Sequence, residues 1–276
     1  MKNFTQQLIA SKRKLVADAP RLAGDPEAEG GCGVVGFAAS VPVGGRNIFE
    51  ASIQMHNRGN GKGGGIAAAG LVSEQLGVDA DTLQNDYILQ IALLKPEMEQ
   101  AVEEGFISPD LRLDYQEKIK TLADYRDVGL EVRPPDVTRY FVRVKEAALA
   151  RFAAENGLTD APSRLVEDEF IYQNSFKLNQ RFYASLGEKQ AFVLSHARNL
   201  VIFKIVGYAE QVMQYYGLAD MQAHVWIGHR PRVGSGIQPA RTPSSGLTRP
   251  SCTTATLPII SALLNTCGSI TWYPSS

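Results

Sequence analysis

Gly30-Gly31-Cys32-Gly33-Val34-Val35-Gly36-Phe37 sets one thiol among four glycines and leads straight into an apolar run. The glycines allow another backbone, or a substrate, to come close to Cys32. Val34 to Ala38 predicts a short buried strand. If the chain were cut between Gly31 and Cys32, a new α-amine would sit beside the thiol. With an ordinary pKa of about 7.7–8.0, that amine could serve as general base without a histidine. A buried structural cysteine at the head of a strand is the other reading of the same residue.

Working outward, residues 1–31 are polar and mixed, and they read as a leader that packs little. Asn47 to His56 predicts a helix with Ile48, Ala51, Ile53 and Met55 as its apolar members. It stops at Arg58-Gly59-Asn60-Gly61-Lys62-Gly63-Gly64-Gly65, a glycine-dense turn. Ile66 to Leu71 follows as a buried strand. Residues 79–165 read as a separate insertion of mixed character. Within it, Tyr87 to Ala92 alternates weakly, Thr138 to Val144 is a strand, and Lys145 to Asn156 is a helix with Gly157 at C′. Ala191 to Leu194 and Leu200 to Val206 read as a hairpin turning at Arg198-Asn199. Ala209 to Tyr216 is a helix closed by Gly217, and Ala223 to Ile227 is a strand that delivers Gly228-His229. Strands mixed with helices, one hairpin included, give an α+β class.

The composition suits a globular core, with 44% hydrophobic and 21% charged residues. A net charge of −1 gives no electrostatic reason for a nucleic-acid or membrane partner. No apolar run approaches the ~20 residues that span a bilayer. The N-terminus lacks the apolar core of a secretory signal. The cysteines, Cys32, Cys252 and Cys267, follow no metal or disulfide spacing, so a reducing cytoplasm is the expected setting. The glycine-dense turn lacks the Gly-Lys-Ser/Thr of a phosphate loop.

Three segments together resemble the class II, N-terminal-nucleophile glutamine amidotransferases. Gly31-Cys32-Gly33-Val34-Val35-Gly36-Phe37 resembles the family's mature N-terminus. Met55-His56-Asn57-Arg58-Gly59 and the following glycines resemble its His-Arg-Gly motif, here with Asn57 between His56 and Arg58. Trp226-Ile227-Gly228-His229 resembles the start of its Gly-His-x-Arg motif. The leader resembles a glutamate-synthase-type propeptide. The insertion, with Val128-Gly129-Leu130-Glu131-Val132-Arg133-Pro134-Pro135, resembles that of a glutamate-synthase-like branch. The resemblance covers residues 24–75 and 185–229.

It implies a four-layer αββα sandwich over residues 32–276, incomplete at the C-terminal side. It also implies glutamine hydrolysis through a Cys32 thioester, with ammonia passed to a glutamate-synthase-like partner. Arg58, Gly59, His229 and Arg230 are the implied substrate-binding residues. Arg58 would organise the nucleophile, although a solvated turn arginine is the plainer reading. His229 would orient the strand end rather than act as base, and a core histidine is the plainer reading of it. No metal or cofactor is expected on this chain, since a flavin or iron–sulfur cluster would reside on the synthase partner. A different N-terminal-nucleophile hydrolase, or a catalytically inactive fragment or interaction subunit, are the competing readings.

The pattern breaks after His229. Arg230 follows directly, and Pro231 stands where the carboxylate-binding arginine is expected. Residues 230–276 hold no acidic residue, where average composition gives roughly six. That tail carries +4 and the remainder −5. Back-translated with permitted codons and read one base earlier, Ala240 to Ile260 can give Gly-Ala-His-Pro-Phe-Ile-Gly-Leu-Asn-Glu-Ala-Leu-Val-His-Asn-Gly-Asp-Phe-Ala-Asn-Tyr. That string holds the family's oxyanion Asn-Gly pair, so the tail reads as out of frame with the family sequence.

Overall fold

The computed structural model describes residues 4–16, 33–54, 63–184 and 188–230. Eight strands form two four-stranded sheets in which every pairing is antiparallel. The first sheet has the order β1 (Gly33–Gly44), β8 (Gln222–Arg230), β2 (Gly64–Leu71), β7 (Leu200–Ile205). The second has the order β4 (Leu111–Lys118), β5 (Asp136–Val144), β3 (Tyr87–Leu93), β6 (Ala191–Ala197). Residues 79–165 supply three strands of the second sheet, together with α3 (Ala80–Asn85), α4 (Glu99–Val102) and α5 (Glu146–Glu155).

Burial explains why β3 alternates so weakly: all seven of its residues are buried. An apolar side chain is favoured on both faces of such a strand, which erases the period of two. Tyr87, Leu89 and Ile91, with Tyr140 and Val142, form one core with α5 and α6 (Ser163–Phe182). Ile88, Ala92 and Phe141, on the opposite face, join a second core. That core takes in Ile66, Phe203 and Trp226 of the first sheet, Ile48 of α2 (Arg46–Gln54) and Val212 of α7 (Ala209–Tyr215).

Two motif glycines make room for helices. A Cβ on Gly228 would lie 2.5 Å from Ser52 Oγ of α2. One on Gly64 would lie 2.6 Å from the Tyr208 carbonyl carbon and 2.7 Å from the Ala209 nitrogen, where α7 begins.

Two expectations are corrected. The strands expected as a hairpin exist, but β6 pairs with β3 and β7 with β2, in different sheets. Their turn is held by β2 instead of by a β6–β7 ladder. Asn199, at φ 50°, accepts from the Gly70 N–H through its carbonyl at 3.2 Å and from the Leu71 N–H through Oδ1 at 2.6 Å. Across the corner, Gln90 Oε1 of the second sheet accepts from the Ile202 N–H of β7 at 3.0 Å and from the Ser195 hydroxyl at 3.1 Å.

The second correction concerns the leader, part of which packs. Residues Phe4–Val16 form α1, and Leu8 joins the core beside α6. Ser11 is buried and accepts from the Gln173 amide, while Lys12 pairs with Glu169 at 3.4 Å and lies over the Tyr172 ring. Among the described residues, no helix is long and apolar enough to cross a membrane.

Candidate functional site

Strand register brings distant segments to one end of the first sheet. Gly33 at the start of β1 pairs with Arg230 at the end of β8, and Val34 pairs with His229. His229 also pairs with Gly65 near the start of β2. Gly65 in turn pairs with Lys204 near the end of β7. Cys32 is covalently joined to Gly33, and Arg58 and Gly59 precede β2 in the sequence. Cys32, Arg58 and Gly59 themselves lie outside the described residues, and Arg230 is described by its backbone alone.

Directly opposed residues in an antiparallel pair share a face. Val34, His229, Gly65 and Lys204 therefore make one row across all four strands. The next row on that face is Gly36, Ile227, Ala67 and Ile202. Ile227, Ala67 and Ile202 belong to a small buried apolar cluster. The end row thus carries two ionisable side chains, His229 and Lys204, and the floor behind it is apolar.

His229 is 7% exposed, and its Nε2 has no hydrogen-bond partner. Burial holds its imidazole below the usual range, and the positive charge of Lys204 adds to that. Burial also pulls the Lys204 ammonium down to about 8. No described carboxylate pairs with Lys204. Gly65 leaves the space between them bare of a side chain, and a Cβ there would lie 3.5 Å from Lys204 Cγ. Lys204 was missed in the sequence, yet it had a signal: one charge inside the apolar run Leu200-Val201-Ile202-Phe203-Lys204-Ile205.

No family model matches the chain. A stretch of 188 residues, 67% of the chain, is 25% identical to an uncharacterised protein of Archaeoglobus fulgidus. That stretch spans 42% of the archaeal protein, so the chain matches less than half of that relative's length.

Other polar features lie elsewhere. A depression of about 360 Å³ sits at the far end of β2, lined by Leu71, Ser73, Glu74, Leu83, Gln84 and Asn199. Its Ser73 hydroxyl donates to the adjacent Glu74 carboxylate at 3.2 Å in an exposed hydrogen bond, and no histidine or cysteine lines it. Among the described residues, no group of three or more His, Cys, Asp or Glu is placed to hold a metal ion. The second sheet carries a polar row of its own: Ser195, Gln90, Arg139 and Glu117 lie in register across its four strands. There Arg139 donates to Glu117 at 2.6 Å. The glycine end of the first sheet remains the place where a buried, unpartnered polar group meets the segments singled out for chemistry.

Proposed function

We propose that the chain is a glutamine amidotransferase domain of the N-terminal-nucleophile type, with Cys32 as nucleophile. The carrying observation is the register at the glycine end of the first sheet. Gly33, Gly65 and the pair His229-Arg230 are neighbours there, although β1 and β8 are separated by most of the chain. Cys32 precedes β1 by one residue, and Arg58 lies in the sequence leading to β2, which supports this reading. The two antiparallel sheets, with helices packed on each, support the four-layer αββα reading.

In this reading the Cys32 thiolate attacks the side-chain amide carbon of glutamine. The C–N bond breaks and ammonia leaves with a proton. Water then cleaves the γ-glutamyl thioester to glutamate and restores the thiol. After cleavage before Cys32, its own α-amine would move the proton. Arg58, Gly59, His229 and Arg230 would position the substrate, and ammonia would pass to a glutamate-synthase-like partner.

A specific observation favours a second reading, an inactive fragment or interaction subunit of the same family. The tail after His229 holds no legible oxyanion Asn-Gly motif. Loss of a single oxyanion donor typically costs about 10²–10³ in rate. A glutaminase assay on pure protein, with Cys32→Ala as control, decides between them. Glutamate release that depends on Cys32 supports the first reading, and its absence supports the second. Labelling of Cys32 by a glutamine-analogue electrophile would tell this chemistry from that of another amide hydrolase.

A further inference from the structure

We propose that Lys204 and His229, facing each other across Gly65, form a subsite for a small carboxylate at the glycine end of the first sheet. It deepens the amidotransferase reading and rests on it for the ligand's identity, the α-carboxylate of the amino-acid substrate. The residues themselves carry the anion preference.

Three observations build the site. First, both side chains leave the same face from strands that flank β2, and the residue between them is glycine. Second, His229 is buried and its Nε2 has no partner. A buried polar atom left unpaired is costly, so an incoming hydrogen-bonding group gains by meeting it. Third, Lys204 has no described carboxylate as counter-ion, in a chain whose other partly buried cations have one. Arg139 has Glu117, and Arg198 has Glu167 and Asp168.

The chemistry selects a monoanion. With the neutral imidazole protonated at Nε2, one ammonium and one N–H give two donors and a single full charge, a match for the two oxygens of a carboxylate. A dianionic phosphate would leave charge uncompensated. The apolar floor of Ala67, Ile202 and Ile227 keeps the local dielectric low and strengthens the pairing.

The test uses the full chain. Acetate, propionate, N-acetyl-L-glutamine, acetamide and sulfate are each titrated, and trinitrophenylation of Lys204 by trinitrobenzenesulfonate is followed by peptide mass spectrometry. The three carboxylates should protect Lys204, while acetamide and sulfate should not. Lys204→Met should weaken carboxylate binding by ~10–100-fold by calorimetry, the range for a hydrogen bond to a charged group. Lys204→Arg should retain most of it, and melting curves establish that both variants fold. Equal protection by acetamide would overturn the subsite, as would unchanged binding in folded Lys204→Met. The two proposals fail separately. Carboxylate protection that persists in Cys32→Ala, in a chain without Cys32-dependent glutaminase activity, leaves the subsite standing and removes the amidotransferase reading. Cys32-dependent activity whose glutamine KM is untouched by Lys204→Met does the reverse.

Discussion

The two sheets have the same strand count and the same antiparallel ladders, yet they treat charge differently. In the second sheet the buried or half-buried cations are neutralised. Arg139 meets Glu117, Arg143 reaches Asp81 at 2.8 Å as well as Asp86, and Arg198 holds Asp168 while lying 3.9 Å from the Tyr87 ring centre. In the first sheet Lys204 and His229 meet across a glycine with no described carboxylate between them. Burying unpaired polar groups is costly, and proteins tolerate that cost mainly where the groups are used. Gln90 Nε2 and Arg139 Nε of the second sheet also lack partners, so the difference lies in the counter-ions: on the proposed reading the second sheet is scaffold and one end of the first a working surface.

This contrast can be broken most forcefully in the scaffold. Phe141 is fully buried in the core that joins the two sheets. Phe141→Ala should cost about 3–5 kcal/mol in denaturant melts; a loss under 1 kcal/mol would mean the sheets do not depend on that core. At the working end, Gly64→Ala forces a Cβ against the backbone at the start of α7. Overpacking of that kind should cost about 1–3 kcal/mol and shift α7. A fully stable Gly64→Ala would show that α7 is not seated on β2 at that point.

Titration separates the regions by pH window. In the second sheet, burial holds His196 down at about 4 against the usual 6.5 of a histidine. Between those values the unfolded chain binds more protons, so stability is present above about 6.5 and drains away as pH falls toward 4. Lys204 in the first sheet sits near 8 against 10.5, so its penalty is full at neutral pH and is relieved as pH rises from about 8 to 10.5. His196→Gln should flatten the acid window and Lys204→Met the alkaline one. Each effect should be about 1–3 kcal/mol, read from melts across pH. If both windows persist in the variants, other groups carry them. The smallest effect belongs to the surface: Arg46 and Asp220 pair at 2.9 Å with both side chains largely exposed. Arg46→Ala should change stability by less than about 1 kcal/mol.

Local pattern made several elements legible. β2, β5, α5 and α7 follow from apolar runs and their glycine stops, and Gly157 and Gly217 take the left-handed conformation expected after a helix. β1, expected as a short buried strand, is instead a longer edge strand, Gly33–Gly44, with Val34 and Val41 exposed, because nothing among the described residues pairs with its outer side. Partners were not legible. The run from Ala191 to Ile205 shows two strands and a turn, but which sheet each joins is decided by Gln90 and the end of β2, far away in sequence. Helix α6 was hidden because it buries polar Glu169, Gln173 and Ser175 along with its apolar residues, which blurs the helical stripe. The glycine motifs of the site could be read directly. Lys204 could not be assigned a role, because its neighbour across Gly65 is set by register rather than by sequence.

The Gln90 carboxamide described at the corner has a consequence for how the first sheet can be extended. An edge strand offers its outward N–H and C=O groups to any passing segment. On β7 the middle of that row is already taken, since a side chain from the other sheet occupies the Ile202 N–H. The opposite border, β1, is twice as long and carries exposed Val34 and Val41. A further strand, whether from this chain or another, would have to displace Gln90 to join beside β7. Among the described residues the sheet thus has one border held by a side chain and a second that is longer and more exposed.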